Sequence, residues 1–201
     1  DFTSVLFSLA KDGQPELTYE NLSVFAFVSR LFQPNVHVIP LIVSDELFQI
    51  VRVVLSGSLI GTVAHTVYQS GRRTTSSKAD IWRQDMEYGL VLLTILLIGT
   101  TLWISGLPAI LLIGLLALQS QRHTHLKRVK VVWWLAFALI LASQPLIVLV
   151  NVTGITLGAL PLSVGFFGLM LLWGLMVYLL IADPVAVTLP DRPAQNVTAS
   201  G

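Results

Sequence analysis

The sequence predicts an all-α membrane protein with several spans, and three observations lead to that fold class. Of the 201 residues, 54% are hydrophobic and only 11% are charged, whereas an ordinary soluble domain has about 45–50% apolar and about 25% charged residues. The mean hydropathy is +0.78. Three uncharged stretches, 53–71, 88–121 and 131–182, have about the length of a membrane helix or more.

The first stretch predicts one membrane helix that starts near Leu47, and the last predicts two, over 131–150 and 160–181, with a turn between them at 151–154. The middle stretch is too long for one helix and short for two, and Ser105-Gly-Leu-Pro108 interrupts it. Glycine and proline both destabilise a helix interior. We therefore predict a hairpin with short arms, of which the second is either complete or broken and re-entrant, and about five membrane segments in all.

The charges predict how these segments are oriented. With the hairpin, two segments that carry eight Lys and Arg residues, 72–83 and 122–130, fall on the same side, which the positive-inside rule makes cytoplasmic. Residues 1–46 contain six acidic and two basic residues, a net charge of −4. We therefore expect a multi-pass protein of the cell membrane with an extracytoplasmic segment (1–46), a transmembrane domain (47–182) and a disordered cytoplasmic tail (183–201).

The extracytoplasmic segment contains a predicted amphipathic helix. Leu22, Phe25, Val28 and Phe32 fall on one helical face. The run from Asn21 to Phe32 is too short to cross a membrane. It should lie along the outer interface or pack on the bundle.

Composition and motifs exclude several functions. The chain has no cysteine, so disulfides, thiolate catalysis and cysteine-bound metals are ruled out. A net charge of +1 gives no basic excess for nucleic acid, and we expect no such partner. Nucleotide-binding, zinc-protease and nucleophile-elbow motifs are absent from the sequence, so we assign no catalytic residue, metal or cofactor to this chain.

Two outer residues are candidate ligand contacts. Arg52 lies near the outer end of the first membrane helix, where two interpretations stay open. In the first, the Arg52 side chain extends to the membrane surface and pairs with Asp45, Glu46 or a lipid phosphate. In the second, Arg52 is an anion clamp for a phosphate-bearing lipid, because guanidinium binds phosphate through two hydrogen bonds. His37, in the preceding connection, is a candidate substrate contact.

Two segments carry a family resemblance. The run Asn21-Leu-Ser-Val-Phe-Ala-Phe-Val-Ser-Arg30-Leu-Phe resembles the N-Q-S-L-…-R-L segment of the membrane mannosyltransferases of glycosyltransferase family 87, in the GT-C superfamily. Ser163-Val-Gly-Phe-Phe-Gly-Leu-Met-Leu-Leu-Trp173 is similar to the closing S-x-x-x-x-G-L-L-L-L-W pattern of that family. Trp103 stands at the position of a family S-P-x-S-W turn, and the resemblance covers most of 14–182.

The resemblance implies a function for the whole enzyme. Family members transfer a sugar, commonly mannose, from a polyprenyl-phosphate donor at the outer membrane face, and an aspartate in an early outer loop serves as general base. That aspartate has no counterpart here, so the resemblance implies the C-terminal membrane half of such an enzyme. Under this hypothesis the expected substrate-binding residues are Asn21, Arg30, His37, Arg52 and Trp103.

The expected partners are membrane lipids, the polyprenyl-phosphate sugar donor, and either the missing N-terminal half or another membrane subunit. An alternative from a different class is a non-catalytic small integral membrane subunit of a larger complex. A transporter is a third hypothesis, which the scarcity of charge within the predicted spans disfavours.

Overall fold

The computed structural model describes residues 21–34, 38–72, 77–99 and 127–182, most of which are helical. In chain order the elements are α1 (Val24–Phe32), β1 (Val38–Ile39), α2 (Asp45–Gly71), α3 (Ser77–Ile98), α4 (Lys127–Thr153), β2 (Leu157–Gly158), α5 (Ala159–Leu162) and α6 (Val164–Ala182). Helices α2, α4 and α6 are long and apolar enough to cross a membrane. The predicted all-α fold class is confirmed.

Helix α1 is the predicted amphipathic helix, and it packs on the bundle. Its N-terminus is capped by Ser23, whose Oγ accepts a hydrogen bond from the Ala26 N–H at 3.3 Å, as N-cap serines commonly do. Leu22 and Val28, on the predicted apolar face, are buried. Phe27 stacks on Phe166 of α6 with 4.3 Å between ring centroids. The packing therefore includes a side chain outside the predicted face.

One end of the bundle, which we call the cap end, is formed by α1, β1, β2 and α5. Strands β1 and β2 pair in parallel. Because β1 precedes α2 and β2 follows α4, the start of α2 and the end of α4 lie together at this end. A small apolar core fills the space beneath the strands, formed by Val38, Ile147, Val150, Ala159 and Leu162.

The opposite end, which we call the basic end, contains the end of α2 and the start of α4. Both helices have 27 residues, or about 40 Å. Arg72 follows α2, while Lys127, Arg128 and Lys130 open α4. Cations from both predicted cytoplasmic segments therefore lie at the same end of the protein.

Helices α4 and α6 pack closely in antiparallel orientation. A Cβ atom at Gly168 of α6 would lie 2.7 Å from the backbone oxygen of Ala136, and one at Gly165 would lie 2.7 Å from Ser143 Oγ. Only glycine permits this approach, which places the α6 backbone directly against α4. Side-chain size at these two positions therefore sets the distance between the helices.

Helix α3 starts near the basic end, because only residues 72–76 separate it from α2. Further along, Trp173 Nε1 of α6 donates a hydrogen bond to Thr94 Oγ1 at 2.8 Å. Since Trp173 lies near the middle of α6, α3 runs toward the cap end. The chain thus leaves α3 a short distance beyond the level of Trp173 and enters α4 at the basic end.

Some element boundaries differ from those expected. Helix α3 begins at Ser77, well before the uncharged stretch that starts at Tyr88, because the charged residues between these two positions are also helical. Helix α4 extends to Thr153 and ends before Gly154, whose φ of 66° is the left-handed conformation that glycine tolerates best. Helix α6 starts at Val164 and not at residue 160 as predicted, because Ala159–Leu162 forms the separate short helix α5. Outside the described residues lie 1–20, the predicted hairpin tip with its second arm, and the tail.

Candidate functional site

Arg30 is the most deeply buried cation among the residues that the structure describes, with 1% of its surface exposed. Its Nη1 donates hydrogen bonds to the Leu162 carbonyl oxygen and to Ser163 Oγ, both at 3.1 Å. Its Nη2 donates to the Asn21 carbonyl oxygen. These contacts, which we call the Arg30 junction, connect α1 to the turn between α5 and α6.

The junction is completed by hydrogen bonds around its acceptors. Ser163 Oγ donates to the Ala159 carbonyl oxygen at 2.7 Å, while Asn21 Oδ1 accepts from the Ser23 N–H at 3.0 Å. Burial lowers the pKa of Arg30 to about 10, because desolvation disfavours the charged form. The guanidinium remains charged at neutral pH, and its hydrogen bonds are therefore of the stronger, charge-assisted kind.

Arg52 has a different environment at the same end of the protein. It is half-buried on α2, and its guanidinium carbon lies 5.0 Å from the centroid of the Phe25 ring, within the range of a cation–π interaction. Within the described ranges no carboxylate lies within ion-pair distance of Arg52. The proposed pairing with Asp45 or Glu46 is not seen, and Asp45 Oδ1 instead accepts from Gln33 Nε2 at 3.5 Å.

Exposed apolar side chains lie on both sides of Arg52 in the sequence, and we refer to them together with Arg52 as the Arg52 surface. Seven of them have more than half of their area exposed. Patches of this kind on a membrane protein contact lipid or a partner. A cation and exposed apolar groups at the same end of a protein are the two kinds of group that an amphiphilic anion would need. The seven are Ile39, Leu41, Ile42, Val43, Ile50, Val53 and Val54.

The five residues implied as substrate-binding have different positions. Asn21 and Arg30 contact each other in the buried junction, whereas Arg52 reaches α1 at Phe25. His37 and Trp103 lie outside the described residues. Substrate contact by any of the five stays a prediction.

Sequence reasoning did not identify Ser163 and Phe25 as parts of this end. Ser163 is the first residue of the second segment that carries the family resemblance, which was a usable signal. Phe25 was assigned to an apolar face, and nothing local indicated that Arg52 lies over its ring. Among the described residues no group of three His, Asp or Glu side chains is placed to hold a metal ion.

These features define a helical membrane protein whose cap end combines one buried and one accessible arginine. Comparison with known proteins adds no relative, since no family model, no curated protein and no solved structure matches the chain. A functional assignment therefore depends on the geometry and on the sequence resemblance.

Proposed function

We propose that this chain is the membrane part of a GT-C glycosyltransferase, which moves a sugar, most simply mannose, from a polyprenyl-phosphate donor at the outer membrane face. The general-base aspartate would be supplied by sequence outside this chain. One observation carries the proposal: the two segments that resemble glycosyltransferase family 87 meet at the Arg30 junction, where Arg30 of the first segment donates to Ser163 of the second.

The junction is informative because its partners are far apart in sequence. Arg30 and Ser163 are 133 positions apart, and Phe27 stacks on Phe166 beside them. Two segments that separately resemble one family are thus in direct contact. A buried Arg30 also explains why such a segment would require arginine, since three acceptors converge on the guanidinium.

The orientation of the proposed enzyme follows from charge. In a multi-pass protein of the cell membrane, the basic end faces the cytoplasm by the positive-inside rule. The cap end then faces outward, where the lipid-linked donor is used. In this proposal Asn21 and Arg30 position α1, and Arg52 contacts the donor phosphate with the polyprenyl chain on the Arg52 surface. His37 and Trp103 are proposed further contacts.

The proposal is tested by binding of polyprenyl-phosphate mannose to the purified chain in lipid nanodiscs. Arg52→Ala should weaken binding about 10- to 150-fold, since a charge-assisted contact contributes about 1.5–3 kcal/mol. Arg52→Lys should have a smaller effect, because lysine keeps the charge. Some loss should remain, since lysine cannot form the bidentate hydrogen bonds of a guanidinium.

Arg72→Ala is the matched control. Arg72 directly follows the same helix, and its guanidinium carbon lies 4.5 Å from the Tyr68 ring centroid, a similar cation–π contact at the basic end. Its removal should leave donor binding unchanged. Absence of donor binding in the unaltered chain would contradict the proposed function, and equal weakening by both substitutions would contradict the assignment of Arg52.

A second candidate is a non-catalytic membrane subunit of a larger complex, and the exposure of α2 favours it. In the most apolar stretch of each helix, only 17% of α2 is buried within the protein, against 50% of α6. Such a face suits a protein partner as well as lipid. A stoichiometric complex in native mass spectrometry, with no affinity for polyprenyl phosphates, would support the subunit over the enzyme.

A further inference from the structure

A groove of about 690 Å³ opens between α4 and α6 at the basic end, far from the Arg52 surface. Its walls are mainly aliphatic, and two cations lie at the start of α4. The volume is within the usual range for a site that binds a small molecule. The lining residues used below are Lys127, Arg128, Met170, Leu171, Gly174 and Tyr178.

The sequence explains why the groove opens here. Gly165 and Gly168 bring α6 against α4 nearer the cap end, where a Cβ atom would approach its neighbours to under 3 Å. At Gly174 nothing lies within 4 Å of a Cβ position. Gly174 therefore leaves open space on its own side of α6, and its missing side chain enlarges the groove.

The charge in this region is of one sign. Helices α4 and α6 contain no Asp or Glu, and no residue that lines the groove is acidic. Lys127 and Arg128 are exposed, and in the described part of the chain neither has a carboxylate within ion-pair distance. Tyr178, with 51% of its surface exposed, provides the kind of amphipathic ring that is common at the level of lipid headgroups.

We propose that this groove is a binding site for an anionic phospholipid of the leaflet at the basic end. Lys127 and Arg128 bind the headgroup phosphate, and an acyl chain lies along Met170, Leu171 and Gly174. Charge complementarity supports this occupant, because basic pockets between membrane helices on the cytoplasmic side bind anionic headgroups.

The protein offers an internal reference for this proposal. A second groove, of about 660 Å³, lies between α2 and α3 and has no charged residue among those that line it. The two grooves have nearly equal volume and similar apolar walls. Only the groove with Lys127 and Arg128 should therefore prefer anionic lipid over zwitterionic lipid.

Lipid at each groove can be measured with single labels, since the chain has no cysteine. A fluorophore is attached at Leu171→Cys or, for the reference groove, at Ala64→Cys. Each protein is placed in nanodiscs that contain brominated phosphatidylglycerol or brominated phosphatidylcholine, and quenching gives the relative affinity. We expect a preference for phosphatidylglycerol at Leu171→Cys and none at Ala64→Cys.

Removing the cations should remove the preference. Each cation near an anionic lipid surface contributes about fivefold in affinity, so Lys127→Gln with Arg128→Gln should lower the preference about 25-fold. Lys130→Gln is the matched control, because Lys130 is an exposed cation of the same helix that does not line the groove. It should change the preference less than twofold.

A variant that leaves all charges in place provides an independent test. Gly174→Leu should fill the groove and reduce quenching by phosphatidylglycerol at Leu171→Cys, whereas Gly61→Leu, at another open glycine, should not. Equal quenching by both lipids would overturn the proposal, as would a preference that survives loss of both cations. Quenching by neither lipid would show that protein covers the groove, which also overturns it.

Discussion

The two ends of this protein use the same kind of side chain in opposite ways. At the cap end Arg30 is buried and donates to Leu162, Ser163 and Asn21. At the basic end Lys127 and Arg128 are exposed beside an open groove. A buried cation with several acceptors fixes the positions of its neighbours, while an exposed cation remains available for ligands and for orienting the chain in a membrane.

The same contrast exists within one helix pair. Helix α6 touches the α4 backbone at Gly168 but leaves open space at Gly174. One pair of helices thus has both a close backbone contact, near α1, and an open groove on its side at the basic end.

Arg30→Ala should have the largest effect on stability. Removal of the guanidinium leaves buried carbonyl and hydroxyl groups without their donor, at a cost of about 2–4 kcal/mol in the free energy of unfolding. Arg128→Ala, at the exposed basic end, should change it by less than about 0.5 kcal/mol. Unfolding of both variants in mixed micelles measures the difference. Equal effects would show that the Arg30 junction does not stabilise the cap.

Gly168→Ala and Gly174→Ala form a matched pair on one helix. At Gly168 the new methyl group meets the α4 backbone, and overpacking of this kind costs about 1–3 kcal/mol. At Gly174 the methyl group meets nothing within 4 Å, so the helix propensity of alanine should give a neutral effect or a gain of up to about 1 kcal/mol. Effects of the same sign at both positions would contradict the described packing. Thermal unfolding of the two variants provides the measurement.

The connection between α3 and α6 should give a smaller effect. Trp173→Phe removes the hydrogen bond to Thr94 Oγ1 and should cost about 1 kcal/mol, beyond any change in packing. A double-mutant cycle with Thr94→Val isolates that term. A coupling energy near zero would show that the two side chains do not interact in the folded protein.

The membrane helices could be predicted because their signal is local. Uncharged stretches of sufficient length indicated α2, α4 and α6, and glycine correctly indicated the break after α4. Helix α3 was harder to predict, since its first half is charged and its hydropathy does not indicate that it belongs to the same helix as the apolar second half. Strand β2 and helix α5 are too short to show a hydrophobic periodicity in the sequence. Their formation depends on contacts with β1 and α1.

The cap end could be predicted only in part, because its contacts join distant residues. The sequence indicated Arg30 within the acidic outer segment and Arg52 just after it, but it did not show that one is buried and the other accessible. The difference depends on Ser163, which is 133 positions from Arg30, and on the Phe25 ring beneath Arg52. The groove at Gly174 was also missed, since an open space between helices has no pattern in either helix alone.

The orientation of the two ends underlies both proposals, and single-cysteine labelling in intact cells tests it most directly. Three variants suffice, Ile42→Cys at the exposed cap end and Gly71→Cys and Val131→Cys near the basic end, all at exposed positions. A membrane-impermeant thiol reagent should label the first and should reach the other two only after the cells are permeabilised. Labelling of Gly71→Cys or Val131→Cys from outside would contradict the account.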